Sequence, residues 1–161
     1  MIANQLAFGL LIGVGVFLSA CGGERSSAGH LEGYSKAQMI MPAGESFIVY
    51  NAKTLEERRL GLSRIQDKDF DASRGMLFIY QDSAARQLWM PETYFDIDAF
   101  FLNEELQIID AHRALKHFPH KAHEGNVPRS KKVLAHYILE LKSESVLAEK
   151  LKLGMKLKLR N

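Results

Sequence analysis

Apolar and polar positions alternate along much of the chain after residue 46, which predicts a domain built mainly from strands. The clearest alternation runs from Val133 to Leu141, where every second side chain is apolar while His136 and Glu140 take the other, wetter face. This stretch predicts a half-buried strand. Further strands are predicted over 47–50, 76–80, 87–90, 97–102, 106–111 and 155–160.

Two short helices interrupt the predicted strands. Thr54 and Glu57 have the spacing of a capping box, so the first helix begins there and runs to about Leu62. Ser143 can cap a second helix that continues to about Leu153, just before Gly154. The predicted fold class is α+β: a compact, curved, mainly antiparallel sheet or a small barrel, with two short helices.

The N-terminal segment has a different pattern. The first 23 residues carry no charged side chain, and an almost wholly apolar run from Leu6 to Ala20 is short for a membrane-spanning helix, which needs about 20 apolar residues. Leu18-Ser19-Ala20-Cys21 resembles the lipobox of bacterial lipoproteins, in which the cysteine is acylated. We expect a signal peptide over 1–20, lipidation of Cys21, a flexible tether over 21–45 and one globular domain over 46–161.

This assignment places the protein in the cell envelope, attached to a membrane through lipidated Cys21 and facing the periplasm. Gly22 stands where an aspartate would mark retention in the inner membrane, which favours the outer membrane. The residues before the apolar run include no lysine or arginine, so an uncleaved membrane helix is the alternative. Because Cys21 is the only cysteine, no intramolecular disulfide or cysteine zinc site can form.

The net charge of +2, from 21 basic and 19 acidic residues, excludes a strongly basic nucleic-acid binder, and no nucleic-acid partner is expected. Basic residues concentrate towards the C-terminus, where they either form a solvated face or lie against anionic lipid headgroups.

Several short motifs follow one another in the order and spacing of a known family. They are Ala52 to Thr54, Glu57-Arg58, Gly61-Leu62, Arg74 to Phe78, Trp89-Met90 with Thr93, Asp98, Phe101-Leu102, Tyr137 to Leu141 and Gly154. The chain thus resembles domain of unknown function 192, a bacterial and archaeal family, from about Ser46 to Asn161. The resemblance implies a compact β-rich fold and no agreed activity. The chain has Pro91-Glu92 where the family favours Lys-Asn, and Asp96 where it favours Pro, so a shared polar site here would be altered or lost.

Polar residues around Trp89 form the candidate binding site. An aromatic ring beside guanidinium and carboxylate groups suits a sugar or an anionic small molecule, because the ring stacks on C–H faces while the charges orient hydroxyls or carboxylates. The alternative is a structural role in the core, and an envelope protein is a second kind of partner. The site residues are Arg58, Arg74, Trp89, Glu92, Thr93 and Asp98.

Two other chemistries remain open. Asp98 with Glu92 or Asp96 could form the carboxylate pair of a hydrolase, since Asp96 and Asp98 stand two apart on a predicted strand. The histidine-rich segment from His112 to His123 could hold a metal ion, with His117, His120 and His123 as candidate ligands. The sequence has no phosphate-binding loop, dinucleotide fingerprint or nucleophile elbow. The absence of these motifs does not exclude an enzyme, but a binding module is favoured over one, and we assign no catalytic residue and expect no cofactor.

Overall fold

The computed structural model describes residues 31–160. Seven strands form one sheet in the order β5-β4-β6-β3-β2-β1-β7, and all neighbouring strands are antiparallel except the parallel pair of β2 and β3. The strands are β1 (Ser35–Ile40), β2 (Ser46–Ala52), β3 (Arg74–Arg86), β4 (Ile97–Leu102), β5 (Ile108–Leu115), β6 (Val133–Lys142) and β7 (Lys158–Arg160). The predicted α+β class with a mainly antiparallel sheet is confirmed.

The sheet is open, so the alternative of a closed barrel is wrong. Within the described residues β5 and β7 form no ladder, although a single bridge pairs Gln107 with Lys156. Backbone amides of Ile108 and Leu157 also donate to the carbonyls of Met155 and Leu106. These few bonds hold the two ends of the sheet near each other, but they do not form a ladder between β5 and β7.

Both faces of the sheet are covered by apolar side chains. Along β4 every residue is buried, and alternate side chains enter different clusters: Ile97 and Phe101 belong to one, Phe100 and Leu102 to the other. The first cluster is completed by the connecting segments 61–73 and 87–96, and the second by the helix near the C-terminus. A central strand that is buried on both faces needs apolar side chains on both faces, and β4 has them.

Two short helices are present, as predicted. Helix α1 (Leu55–Leu60) begins with the capping box, in which the Glu57 amide donates to the Thr54 hydroxyl and the Thr54 amide donates to the Glu57 carboxylate. Helix α2 (Val146–Lys150) begins two residues later than expected. Its cap is Ser145, not Ser143, because the hydroxyl that accepts from the Ala148 amide is that of Ser145.

Two further expectations need correction. The tether was predicted to reach residue 45, but β1 lies within that span and pairs with both β2 and β7, so the folded part begins earlier. The strand predicted over 87–90 is an extended loop with a single bridge between Trp89 and Arg129, because its backbone bonds go to other loops.

Neither helix in the described part of the chain has the length and apolar character that a membrane crossing requires. The signal peptide over 1–20, the lipidation of Cys21 and the tether up to residue 30 lie outside the described residues.

Candidate functional site

A polar cavity of about 110 Å³ opens beside Trp89, on the face of the sheet that α1 and its following loop cover. Trp89 is 43% exposed, so its ring forms part of the cavity mouth instead of filling the core. Strands β3, β4 and β6 supply the floor. The other lining residues are Arg58, Arg59, Leu60, Gly61, Leu62, Ser63, Phe78, Tyr80, Gln87, Leu88, Met90, Thr93, Ile97 and Glu140. We call this space the Trp89 cavity.

Glu140 is the acidic residue in the floor of the Trp89 cavity, on strand β6. It is only 4% exposed, and its carboxyl group makes no hydrogen bond to any residue in the range 31–160. Burial raises the pKa of Glu140 to about 8. The carboxyl group therefore mostly keeps its proton at neutral pH, and it presents both an O–H donor and a carbonyl acceptor to the cavity.

Helix α1 and the turn after it place the arginines at the rim. The Arg58 guanidinium donates to the carbonyls of Lys53 and Ile79, the latter at 3.0 Å, and lies 4.9 Å from the ring centroid of Tyr80. Gly61 ends the helix with φ of 50°, and a Cβ at this position would come within 2.9 Å of the Phe78 ring. Glycine thus lets the chain turn closely over β3 and close one side of the cavity.

The loop that carries Trp89 is fixed by hydrogen bonds from buried side chains. The Thr93 hydroxyl donates to the Met90 carbonyl at 2.8 Å and accepts from the Phe118 amide at 3.0 Å. The Arg129 guanidinium lies 5.5 Å from the ring centroid of Trp89, a cation–π distance. The loop is therefore held by bonds within the domain, and Arg129 packs against the indole ring.

A groove of about 340 Å³ adjoins the cavity and shares Arg59, Leu60, Ser63 and Trp89 with it. Glu92 lies in this groove and forms a two-point ion pair with Arg64, at 3.1 and 2.9 Å. The structure thus brings Arg58, Trp89 and Thr93 into one cavity and places Glu92 beside them in the groove.

Arg74 and Asp98, the other two predicted site residues, lie outside the Trp89 cavity and the groove. Arg74 stands at the start of β3 and donates to the Tyr50 hydroxyl at 2.6 Å. Asp98 faces the opposite side of the sheet, where it accepts from Arg113 at 2.6 Å and from the Ala114 amide at 2.8 Å. Arg113 in turn donates to two carbonyls at the end of α2.

Asp96 and His117 meet in a separate cavity of about 250 Å³. Nδ1 of His117 lies 2.7 Å from Asp96, and Lys116 donates to the other carboxylate oxygen at 2.6 Å. Burial raises the pKa of Asp96, but the hydrogen bonds from Lys116 and His117 outweigh this effect and lower the pKa to about 2. Each carboxylate of the hydrolase hypothesis, Glu92, Asp96 and Asp98, thus forms an ion pair with a basic side chain.

The metal hypothesis required three histidines to converge on one point. Within residues 31–160 no cluster of three metal-ligating side chains occurs, so His117, His120 and His123 do not converge.

Glu140 is the site residue that sequence reasoning missed. The alternation predicted that Glu140 lies on the solvent-facing side of β6. In the structure this side is covered by residues from α1 and from the connecting segments 61–73 and 87–96. The sequence does contain one sign that this face is covered: Ile138, an apolar residue two positions before Glu140, lies on the same face. In the structure Ile138 is fully buried. An apolar neighbour at that spacing indicates that both faces of the strand are buried.

The chain forms a small α+β domain built on an open sheet, with a polar cavity on one face of that sheet. The chain belongs to domain of unknown function 192, described as Uncharacterized ACR, whose family model matches residues 39–159. The predicted resemblance is therefore confirmed.

Two solved structures have a similar fold. One is a Sinorhizobium meliloti 1021 protein described as a candidate transcription regulator, with 24% identity and a TM-score of 0.61, covering 78% of this chain and 95% of that chain. The other is a Novosphingobium aromaticivorans protein of unknown function, with 18% identity and a TM-score of 0.58, covering 78% of this chain and 84% of that chain. No curated protein matches the chain.

Proposed function

We propose that this protein is a lipid-anchored module of the cell envelope that binds a small molecule in the Trp89 cavity. The observation that carries the proposal is the pairing of a half-exposed indole with Glu140, a buried carboxyl group that has no protein hydrogen-bond partner within the described residues. Buried polar groups are almost always hydrogen-bonded, so a buried group that lines a cavity is available to a ligand.

The form of the cavity also supports binding. A few convergent polar groups beside an aromatic surface are typical of sites that orient a sugar or an anionic ligand. Trp89 and Thr93 are held in place by contacts within the domain, so little ordering is needed when a ligand enters.

Trp89 is the only tryptophan, so its fluorescence reports on this cavity directly. The full chain, purified in mild detergent, is titrated with D-glucose, D-glucuronate and D-glucosamine as probes. We expect at least one probe to change the emission, and we expect calorimetry to show binding that is about tenfold weaker in Trp89→Ala, since stacking on the ring is lost.

Leu153→Ala is the matched control, because this exposed apolar side chain lies outside the Trp89 cavity. It should bind like the wild type. If no probe binds, or if Trp89→Ala binds as tightly as the wild type, the binding function is contradicted.

The proposed anchor depends on the Leu-Ser-Ala-Cys motif at 18–21 and the apolar, uncharged leader before it. In a bacterial host, Cys21→Ser should abolish labelling with palmitate and release the protein from the membrane fraction. A Ser26→Ala variant, altered in the nearby sequence, serves as the control and should stay with the membrane. Unchanged membrane association of Cys21→Ser would overturn the proposed anchor, while the binding titration remains an independent test.

A further inference from the structure

We propose that the Trp89 cavity selects a small hydroxyl-bearing acid, such as a sugar acid: a neutral hydroxylated end pairs with the Glu140 carboxyl group, and an acidic end lies against Arg58 and Arg59. This inference rests on the proposed binding function and specifies the class of ligand.

Glu140 sets the requirement for a neutral partner. A protonated carboxyl group offers one donor and one acceptor side by side, which matches a pair of hydroxyl groups on a ligand. A cationic ligand would need the carboxyl group to ionise in a site where burial opposes the charge.

The other titratable groups that face Glu140 do not change this requirement. Tyr34 and Tyr80 interact electrostatically with Glu140, and burial raises the pKa of both phenols, that of Tyr34 to about 12. Both phenols therefore stay neutral in the range where Glu140 titrates.

The rim sets the requirement for an acidic end. Arg58 is held by two backbone carbonyls, and neither Arg58 nor Arg59 forms an ion pair with an acidic side chain among residues 31–160. The lining of the cavity thus combines two arginines with one buried, mostly neutral acid. A ligand carboxylate in this position gains attraction that a neutral or cationic ligand lacks.

Size gives the third constraint. The cavity of about 110 Å³ holds only a small head group, whereas the adjoining groove of about 340 Å³ leaves room for the rest of the ligand along Arg59 and Trp89. A hexuronate has a suitable arrangement, with neutral hydroxyls at one end and a carboxylate at the other.

The test compares D-glucuronate, D-glucose and D-glucosamine by Trp89 fluorescence at pH 6 and pH 9. We expect D-glucuronate to bind most tightly and D-glucosamine most weakly. Binding of D-glucuronate should weaken by about tenfold at pH 9, because ionised Glu140 loses its donor and repels the ligand. Far-UV circular dichroism at both pH values verifies that the domain stays folded.

Three variants identify the group responsible. Glu140→Gln keeps a donor and an acceptor but cannot ionise, so it should bind D-glucuronate equally at both pH values. Glu140→Leu should bind about tenfold more weakly at pH 6, since the hydrogen bonds are lost. Glu149→Gln, a change at an exposed acid on α2, should behave like the wild type at both pH values.

The outcomes separate the two proposals. Tightest binding of D-glucosamine, or the same pH dependence in Glu140→Gln as in the wild type, overturns the ligand class while leaving the binding function intact. Failure of all three probes contradicts the binding function itself.

Discussion

At the scale of single residues, the two buried acids of the central strands have different roles. Asp98 on β4 is only 7% exposed in its side chain, but it accepts hydrogen bonds from Arg113 and from the Ala114 amide, and Arg113 reaches the carbonyls of Ala148 and Leu151. Glu140 on β6 has no such partners within the described part of the chain. Asp98 is therefore a structural link between the sheet and α2, and Glu140 is the acid that remains available for binding.

Replacement of Asp98 should be costly for stability. Asp98→Ala removes a buried carboxylate and leaves the Ala114 amide and Arg113 without their acceptor, so we expect the free energy of unfolding in urea to fall by about 2 to 3 kcal/mol. Asp82→Ala is the matched control, because Asp82 also pairs with an arginine, Arg86, but is 75% exposed in its side chain. This control should change stability by less than about 1 kcal/mol. Equal effects of the two substitutions would contradict the structural role of Asp98.

At the scale of secondary-structure elements, helix α1 links a local sequence pattern to the Trp89 cavity. Its start is determined by the capping box, and its residues Arg58 and Arg59 reach the rim of the Trp89 cavity. The backbone hydrogen bond with Thr54 also lowers the pKa of Glu57, which keeps this carboxylate charged near the positive end of the helix. A helix of six residues depends strongly on such a cap.

Loss of this cap should affect both stability and binding. Thr54→Ala removes the hydroxyl that accepts from the Glu57 amide, so we expect a loss of about 1 kcal/mol in the free energy of unfolding. Any probe that binds near Arg58 should also bind more weakly, since the helix frays. Thr54→Ser keeps the hydroxyl and should retain both properties. Urea unfolding and the fluorescence titration measure the two effects, and a Thr54→Ala protein that matches Thr54→Ser in both contradicts the prediction.

The same elements explain which features of the fold and the candidate site could be predicted from the sequence. The capping box at Thr54 and the strand over 97–102 depend on local patterns, and the structure has both at the predicted positions. Glu140 and the Trp89 cavity depend on loops 61–73 and 87–96, which cover the sheet from distant positions in the chain. Alternation shows which side chains share a face of a strand, but it does not show whether another segment covers that face. For the same reason β1 was assigned to the tether, although Ala37 and Met39 already alternate with polar residues.

At the scale of the whole molecule, carboxyl groups with opposite pKa shifts give stability a maximum in mildly acidic solution. The pKa of Asp96 is lowered to about 2, so its contribution is present above the ordinary value of 3.8 and is lost as the pH falls towards 2. The pKa of Glu140 is raised to about 8, so its contribution is present below the ordinary value of 4.5 and is lost as the pH rises through 8.

The free energy of unfolding should therefore be greatest near about pH 4 to 5 and should fall by a few kcal/mol towards about pH 8. Glu140→Gln should remove most of the fall on the alkaline side, and Asp96→Asn should reduce the fall on the acid side. Urea unfolding across this pH range measures both effects. A wild-type profile that rises from pH 5 to pH 8 would contradict the shift assigned to Glu140.

The position of β6 in the sheet has a consequence for biosynthesis. This strand lies between β3 and β4 in the sheet but follows β5 in the chain, and without it β1 to β3 and β4 to β5 are two separate half-sheets. A nascent chain that ends before residue 133 lacks β6, so β3 and β4 have no strand between them to pair with. The sheet should consequently assemble only after β6 has been synthesised, so that the first five strands remain without their central partner until then.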